Sequence, residues 1–328
     1  MIQLLRQMLD EALPQLFEAC RGADLLLATP QQLLLATLVA EGLSLPLQPV
    51  SVTPSLHGVE LSEEALARAA AASSQSSAPI EQLLVRARIR LGLAANDSPT
   101  QQPSCRERLL LGSSSHFCRA VGEDVDAVQT GFWFHDDPRF AAWQPERELR
   151  AFMEQDPAPL VLSFSSQPLA DARAIVAVHA QAAAWLGRPL LIQQGWAGFR
   201  REHLPLDCDP AAIRFEGFLP QDWLFAQASA LIHHGGIGTT ARALRNDCPM
   251  LVEPFGNDQF FNARQIVGLG LGAAMHPEQL RPEAVAEVLQ RRVLTQETHA
   301  RVGALGALLR AENGLEAAVA HVETRLCS

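Results

Sequence analysis

The tightest constraint on this chain is Leu231-Ile232-His233-His234-Gly235-Gly236-Ile237-Gly238-Thr239-Thr240, followed by Pro249-Met250-Leu251-Val252-Glu253-Pro254-Phe255 and then Asp258-Gln259. Ala230 to Ile232 is a short apolar run of the kind a buried parallel strand requires. Gly235, Gly236 and Gly238 let the backbone turn sharply and approach another molecule closely. Thr239 and Thr240 open a helix, and Pro249 begins the next strand. A helix start offers unpaired N–H groups and the positive end of its dipole, which suits a phosphate. His234 stands just before the turn and can donate to the same group. Asp258 and Gln259 end the next β-segment, and their carboxylate and amide suit sugar hydroxyls. Open α/β sheets bind ligands at such strand ends.

A glycine loop alone is weak evidence. This one is neither G-x-G-x-x-G nor a P-loop, and the bland reading is a tight turn with two threonine caps. The loop, His-His and Asp-Gln together favour a ligand site. The rest of the composition narrows its partners. A net charge of −10 speaks against a nucleic acid held by phosphate contacts. No apolar run reaches the ~20 residues of a membrane span. The start, Met1-Ile2-Gln3-Leu4, does not read as a signal peptide, so a cytoplasmic location is expected. Cys20, Cys105, Cys118, Cys208, Cys248 and Cys327 lack zinc spacing and read as reduced structural thiols.

The His-His-Gly-Gly-x-Gly-Thr-Thr run and the later Pro-Phe-x-x-Asp-Gln resemble the donor signature of GT-B nucleotide-sugar glycosyltransferases. The resemblance is to the UDP-glycosyltransferase superfamily, near the sterol-glucosyltransferase-like and antibiotic-glycosyltransferase-like groups. Thr130 to Trp133, Pro159 to Ser166, Gly195-Trp196 and Gly217 to Phe225 agree with it. The likeness is strong over 125–290 and fainter over 1–60. It implies an α/β chain of two Rossmann-like domains facing a crevice. We expect an incomplete N-terminal acceptor-side domain (1–135), a linker (136–158) and a C-terminal donor domain (159–328).

Along the chain, hydrophobic spacing predicts a helix over 2–20, kinked or split at Pro14, then a strand over 24–28. A helix over 30–41 and a strand over 45–53 follow. Helices are expected at 62–72 and 80–91, with a Ser-rich link at 73–78, a polar loop at 96–103, a strand at 109–111 and a loop at 113–116. The second half reads as a helix at 145–154, strands at 160–164, 189–192 and 213–215, and helices at 170–186, 282–290, 295–309 and 315–326. GT-B N-terminal domains open with a strand, a loop and a helix, whereas this sequence opens on a helix. We therefore expect roughly 60–100 residues to be missing from the recorded start, or a naturally shortened variant.

The resemblance implies inverting, metal-independent transfer of a hexose from a UDP- or dTDP-linked sugar to the hydroxyl of a lipid, sterol or natural-product-like alcohol. No resident cofactor is expected. The donor-binding residues it implies are His234, Gly235, Gly236, Gly238, Thr239, Thr240, Asp258, Gln259, Trp196, Phe218, Leu219 and Ser166, with Pro220 beside the base. The sequence has no D-x-D motif for a metal. His233 reads as a packed histidine, Trp223 as core, and Asn262 as either a donor contact or a helix-surface residue. Ser165 stands where relatives carry glycine and would crowd the crevice. Arg242 stands where the plant-type branch has a ribose-binding glutamate, so that contact is not carried over. The family's base lies in a loop expected before Met1, so no catalytic residue is identified. Loss of a base costs ~10²- to 10⁴-fold, and loss of acceptor positioning costs more. This chain is expected to bind donor and to transfer poorly. The competing readings are a non-catalytic sugar-nucleotide binder and, third, a sugar-nucleotide epimerase.

Overall fold

A computed structural model describes residues 2–53, 77–93, 109–118 and 127–326. The helix expected at 62–72 and the loop at 96–103 lie outside the described residues. The chain divides into two compact units, Met1–Ser115 with Arg119–Trp133 and Gly314–Ser328, and His116–Cys118 with Phe134–Asn313.

The first unit holds a four-stranded parallel sheet in the order β1-β2-β3-β4: β1 (Leu26–Ala28), β2 (Leu47–Ser51), β3 (Leu109–Leu111) and β4 (Ala127–Gln129). Its helices are α1 (Ile2–Gln7), α2 (Leu13–Ala19), α3 (Leu33–Leu43) and α4 (Ser77–Arg90). The opening helix is split just ahead of Pro14, into α1 and α2. A π-turn, Met8–Ala12, lies between them, and Leu13 N–H bonds Met8 O. The wider i→i+5 turn makes room for the proline ring, which would press on a carbonyl in an α-turn. Leu9, Leu13, Leu35, Leu38 and Val39 then pack with Leu84 into one apolar cluster.

The second unit holds a six-stranded parallel sheet in the order β10-β9-β8-β5-β6-β7. Its strands are β5 (Leu160–Leu162), β6 (Leu190–Gln193), β7 (Ile213–Glu216), β8 (Ala230–His233), β9 (Met250–Val252) and β10 (Gly272–Ala274). Around it lie α5 (Arg147–Met153), α6 (Ala172–Trp185), α7 (Gln221–Gln227), α8 (Ile237–Arg245), α9 (Gln259–Gly268), α10 (Pro282–Val288) and α11 (Gln296–Ala311). The central strands β5 and β8 are buried throughout, with Leu160, Val161, Leu162, Ala230 and Leu231 fully enclosed. That is why they are continuous apolar runs rather than alternating ones. Because the strands are parallel, the segments after β5, β6, β7, β8 and β9 all emerge at the same edge of this sheet.

The expected domain boundaries differ from the contact-based division. Residues 136–158, read as a linker, pack within the second unit, where Leu149, Phe152 and Met153 of α5 are buried. The last helix, α12 (Gly314–Leu326), belongs to the first unit. There Arg325 Nη1 donates to Gln48 Oε1 at 2.5 Å. A side chain at Gly314 would come within 2.5 Å of the Gly131 backbone, so this contact requires glycine. Among the described residues Cys20, Cys118, Cys208 and Cys248 are free thiols, and no helix is long and apolar enough to cross a membrane.

Candidate functional site

The loop after β8 is built by its own side chains. Gly235 has φ +95°, and a Cβ there would strike Val252 Cγ1 at 2.7 Å. His233, fully buried, accepts Gly235 N–H on Nδ1 at 3.2 Å. Asn262 of α9, also fully buried, donates from Nδ2 to Gly235 O at 2.9 Å. Thr240 Oγ donates to Gly236 O at 3.0 Å. Gly236 is the N-cap of α8 and brings no capping side chain. Thr240 N–H closes the first turn onto Gly236 O. No partner among the described residues takes the amides of Gly236, Ile237, Gly238 and Thr239. The helix therefore presents the bare N–H groups that an anion needs.

His234 lies over this turn. Its Nε2 would be 2.6 Å from a Cβ built on Gly236, so glycine is required there for the imidazole to fit. Its Nδ1 is buried without a hydrogen-bond partner. Burial lowers its pKa to about 4, and burial followed by the neighbouring His234 holds His233 well below 6.5. Both rings are therefore neutral at pH 7. A group with a lowered folded pKa takes up its proton more readily when unfolded, so acid favours unfolding. We expect stability to fall from about pH 6.5 toward pH 4, by about 1.4 kcal/mol per pH unit for His234. Thermal melts across this range should show a shallower slope for His234→Gln than for wild type.

The other expected residues are distributed unevenly. Trp196 and Phe218 expose their rings, at 75% and 72%, at the ends of β6 and β7. Large apolar rings left open in this way suit stacking against a planar base. Phe218 packs on Phe140, with centroids 5.4 Å apart. Leu219 is buried in the core, Ser166 is exposed and Pro220 caps α7. Trp223 packs edge-on against Trp143 at 5.1 Å, but both rings are only half-buried and neither belongs to the core, against the core expectation. Thr239 and Thr240 are buried.

Asp258 and Gln259 do not end a strand: Asp258 is the N-cap of α9 and Gln259 its first residue. Asp258 Oδ2 accepts Asn262 Nδ2 at 3.1 Å. Burial raises its pKa, and the bond from Asn262 opposes that rise. Gln259 is engaged in its own loop, accepting Phe255 N–H at 2.7 Å and Gly256 N–H at 3.2 Å on Oε1. Asn262 is neither at the helix surface nor exposed to a ligand. It is the internal bridge between the glycine turn and Asp258.

Ser165 has φ +46°, and a Cβ at Gly195 would lie 2.7 Å from Ser165 O. The left-handed backbone explains why glycine is the easier residue at Ser165. Arg242 is committed elsewhere. It pairs with Asp222, donates to His135 O at 2.7 Å and, with Arg245, lies over the Phe134 ring.

Sequence reasoning missed a buried pair beneath the site. His179 of α6 and Glu253 at the end of β9 are both fully enclosed, with Nε2 and Oε1 2.7 Å apart. Burial disfavours the charged imidazole. The Glu253 carboxylate and Ile175 O outweigh that, so the His179 pKa is raised. The available signal was a carboxylate between Val252 and Pro254, and a histidine on the Val176–Ala180 face of a helix. Among the described residues, no three His, Cys, Asp or Glu side chains gather as metal ligands would.

Known proteins resemble this chain in sequence and in fold. Residues 200–325 match the family model "Erythromycin biosynthesis protein CIII-like, C-terminal domain". A sterol 3-beta-glucosyltransferase of Arabidopsis thaliana is 33% identical over 178 residues, 54% of this chain and 28% of that protein. One from Emericella nidulans is 27% identical over 96% of this chain and 24% of its own length. The calicheamicin glycosyltransferase CalG4 superposes with a TM-score of 0.75 at 19% identity, covering 99% of this chain and 81% of that one. The kitacinnamycin glycotransferase gives 0.72 at 21% identity, covering 99% and 82%. The chain has the GT-B fold and resembles UDP-glycosyltransferases in sequence. It spans about a quarter of the length of these curated relatives. Within the GT-B architecture, the turn after β8 occupies the second Rossmann-like unit.

Proposed function

We propose that this protein binds a nucleoside diphosphate sugar, UDP- or dTDP-linked, and transfers its hexose with inversion to the hydroxyl of an apolar alcohol. The observation that carries this reading is the unpaired run of amides from Gly236 to Thr239 beside the neutral, buried His234. A leaving diphosphate gains negative charge in the transition state. Fixed donors aimed at it contribute most, at ~3 kcal/mol each in a desolvated site, against about 0.3–1 kcal/mol from the helix dipole. His234, as neutral imidazole, adds one N–H donor without bringing a charge that acid or base would switch near pH 7. The amides and His234 stabilise the diphosphate charge by hydrogen bonding, without a metal. Trp196 and Phe218 take the base, and Asp258 accepts from sugar hydroxyls. The sterol 3-beta-glucosyltransferases among the relatives favour a sterol-like or lipid alcohol as acceptor. No general base is assigned among the described residues.

Calorimetric titration with UDP, dTDP and their glucose conjugates tests this reading. We expect His234→Ala to weaken both nucleoside diphosphates about tenfold, the value of one donor to a charged group. Asp258→Ala should leave UDP affinity unchanged and remove the preference among sugars. Unchanged diphosphate binding in His234→Ala would remove the imidazole from the site. Failure of the wild type to bind either diphosphate would end the proposal.

A further inference from the structure

Gln167, in the loop after β5, faces Gln259 across the strand ends of the second unit. The Gln259 carboxamide has its orientation fixed, because Oε1 receives two main-chain amides, Phe255 N–H at 2.7 Å and Gly256 N–H at 3.2 Å. Turned over, its NH₂ group would meet two donors. Its Nε2 must therefore point away from its own loop, and it donates to Gln167 Oε1 at 3.0 Å. Gln167 is fixed in turn. Its Nε2 donates to Pro168 O at 3.0 Å and its main-chain N–H to Phe164 O at 2.8 Å. The two amides form a chain with one direction, running from Gly256 through Gln259 and Gln167 to Pro168. An amide NH₂ carries two hydrogens and Gln167 takes one. Gln259 is left with one N–H to offer and no free acceptor, beside an Asp258 carboxylate that only accepts.

Resting on the donor-binding reading above, we infer that Gln167 is a positioning residue for sugar selection. It aims the remaining Gln259 N–H so that Gln259 and Asp258 read a pair of sugar hydroxyls as one acceptor and one donor. Gln167 is half-buried at a loop, so substitutions there leave the core intact. Its hydrogen bonds run to Gln259, Pro168 and Phe164 and none to the α8 amides, so it acts on the sugar and not on the diphosphate.

The test compares Gln167→Leu, which removes the acceptor, with Gln167→Glu, which keeps one for Gln259. Titrations of the full chain would use UDP, UDP-glucose and UDP-galactose. In Gln167→Leu, UDP affinity should stay within twofold. UDP-glucose affinity should fall about three- to tenfold, the loss of one hydrogen bond, and the glucose/galactose ratio should move toward one. Gln167→Glu should recover most of both. Equal weakening of UDP and UDP-glucose in Gln167→Leu would make the residue merely structural and overturn the inference. So would no change in either, or a Glu variant as weak as Leu. Wild-type protein that binds no diphosphate would bring down the donor reading itself, a result separable from these.

Discussion

Gly238→Ala is expected to make the protein more stable and a worse donor binder at once. A Cβ at Gly238 meets nothing within 4 Å, and the residue lies in the first turn of α8 without a positive φ. Nothing in the chain itself asks for glycine. In a helix, alanine is favoured over glycine, and here by about 0.5 kcal/mol because the position is in the first turn. The same methyl would stand in front of the unpaired amides. A diphosphate held off them loses fixed donors, and UDP affinity should drop at least about tenfold, the value of one hydrogen bond to a charged group. Thermal melts and UDP titration on one preparation give both readings. A stabilised variant with unchanged UDP affinity would show that the helix start is only a helix start.

Asn262→Leu carries the second large effect. One buried Nδ2 group supplies Gly235 O and Asp258 Oδ2, so its loss strips a partner from the phosphate turn and the sugar carboxylate together. Asn262 Oδ1 is already buried without a partner, so leucine also removes one unsatisfied atom. We expect a net loss of about 2 kcal/mol in stability and at least a tenfold fall in kcat/KM, about what one lost hydrogen bond to a charged group is worth. Asn262→Asp separates coupling from folding. Two carboxylates would share one enclosed space, raising the pKa of one of them. That variant should be worse than Asn262→Leu at pH 8 and recover toward pH 6. A pH-independent defect would mean that Asp258 and Asn262 do not act as a unit.

The parts of the site that lie on unbroken apolar runs were legible in the sequence. Ala230 to Ile232, the glycines and Pro249 located β8, the turn and β9 within a residue or two. The helix start was read at Thr239 although α8 begins at Ile237, because its cap is a glycine with no side-chain signature. Helix α9 was given no range from the sequence, although Asn262 was read as a possible helix-surface residue. Gln259 and Asn262 are buried polar residues on its inner face, and they break the hydrophobic period that marks a helix. Strand β10 is Gly-Ala-Ala, with no β-branched residue to announce it. The stretch 136–158 reads as a linker from its composition. Its attachment depends on Arg242 and Arg245, a hundred residues distant, which no local pattern encodes. The role of Gln259 illustrates the same limit: residue type suggests sugar recognition, but only its partners reveal which hydrogens remain to be offered.

The enclosed His179–Glu253 pair has a consequence for ancestry. Either charge alone, sealed from water, is strongly destabilising, whereas two apolar residues of similar bulk would fit the same space at little cost. The two codons therefore behave as one inherited character. Lineages should carry both or neither, with few viable intermediates between, even though the residues are 74 positions apart.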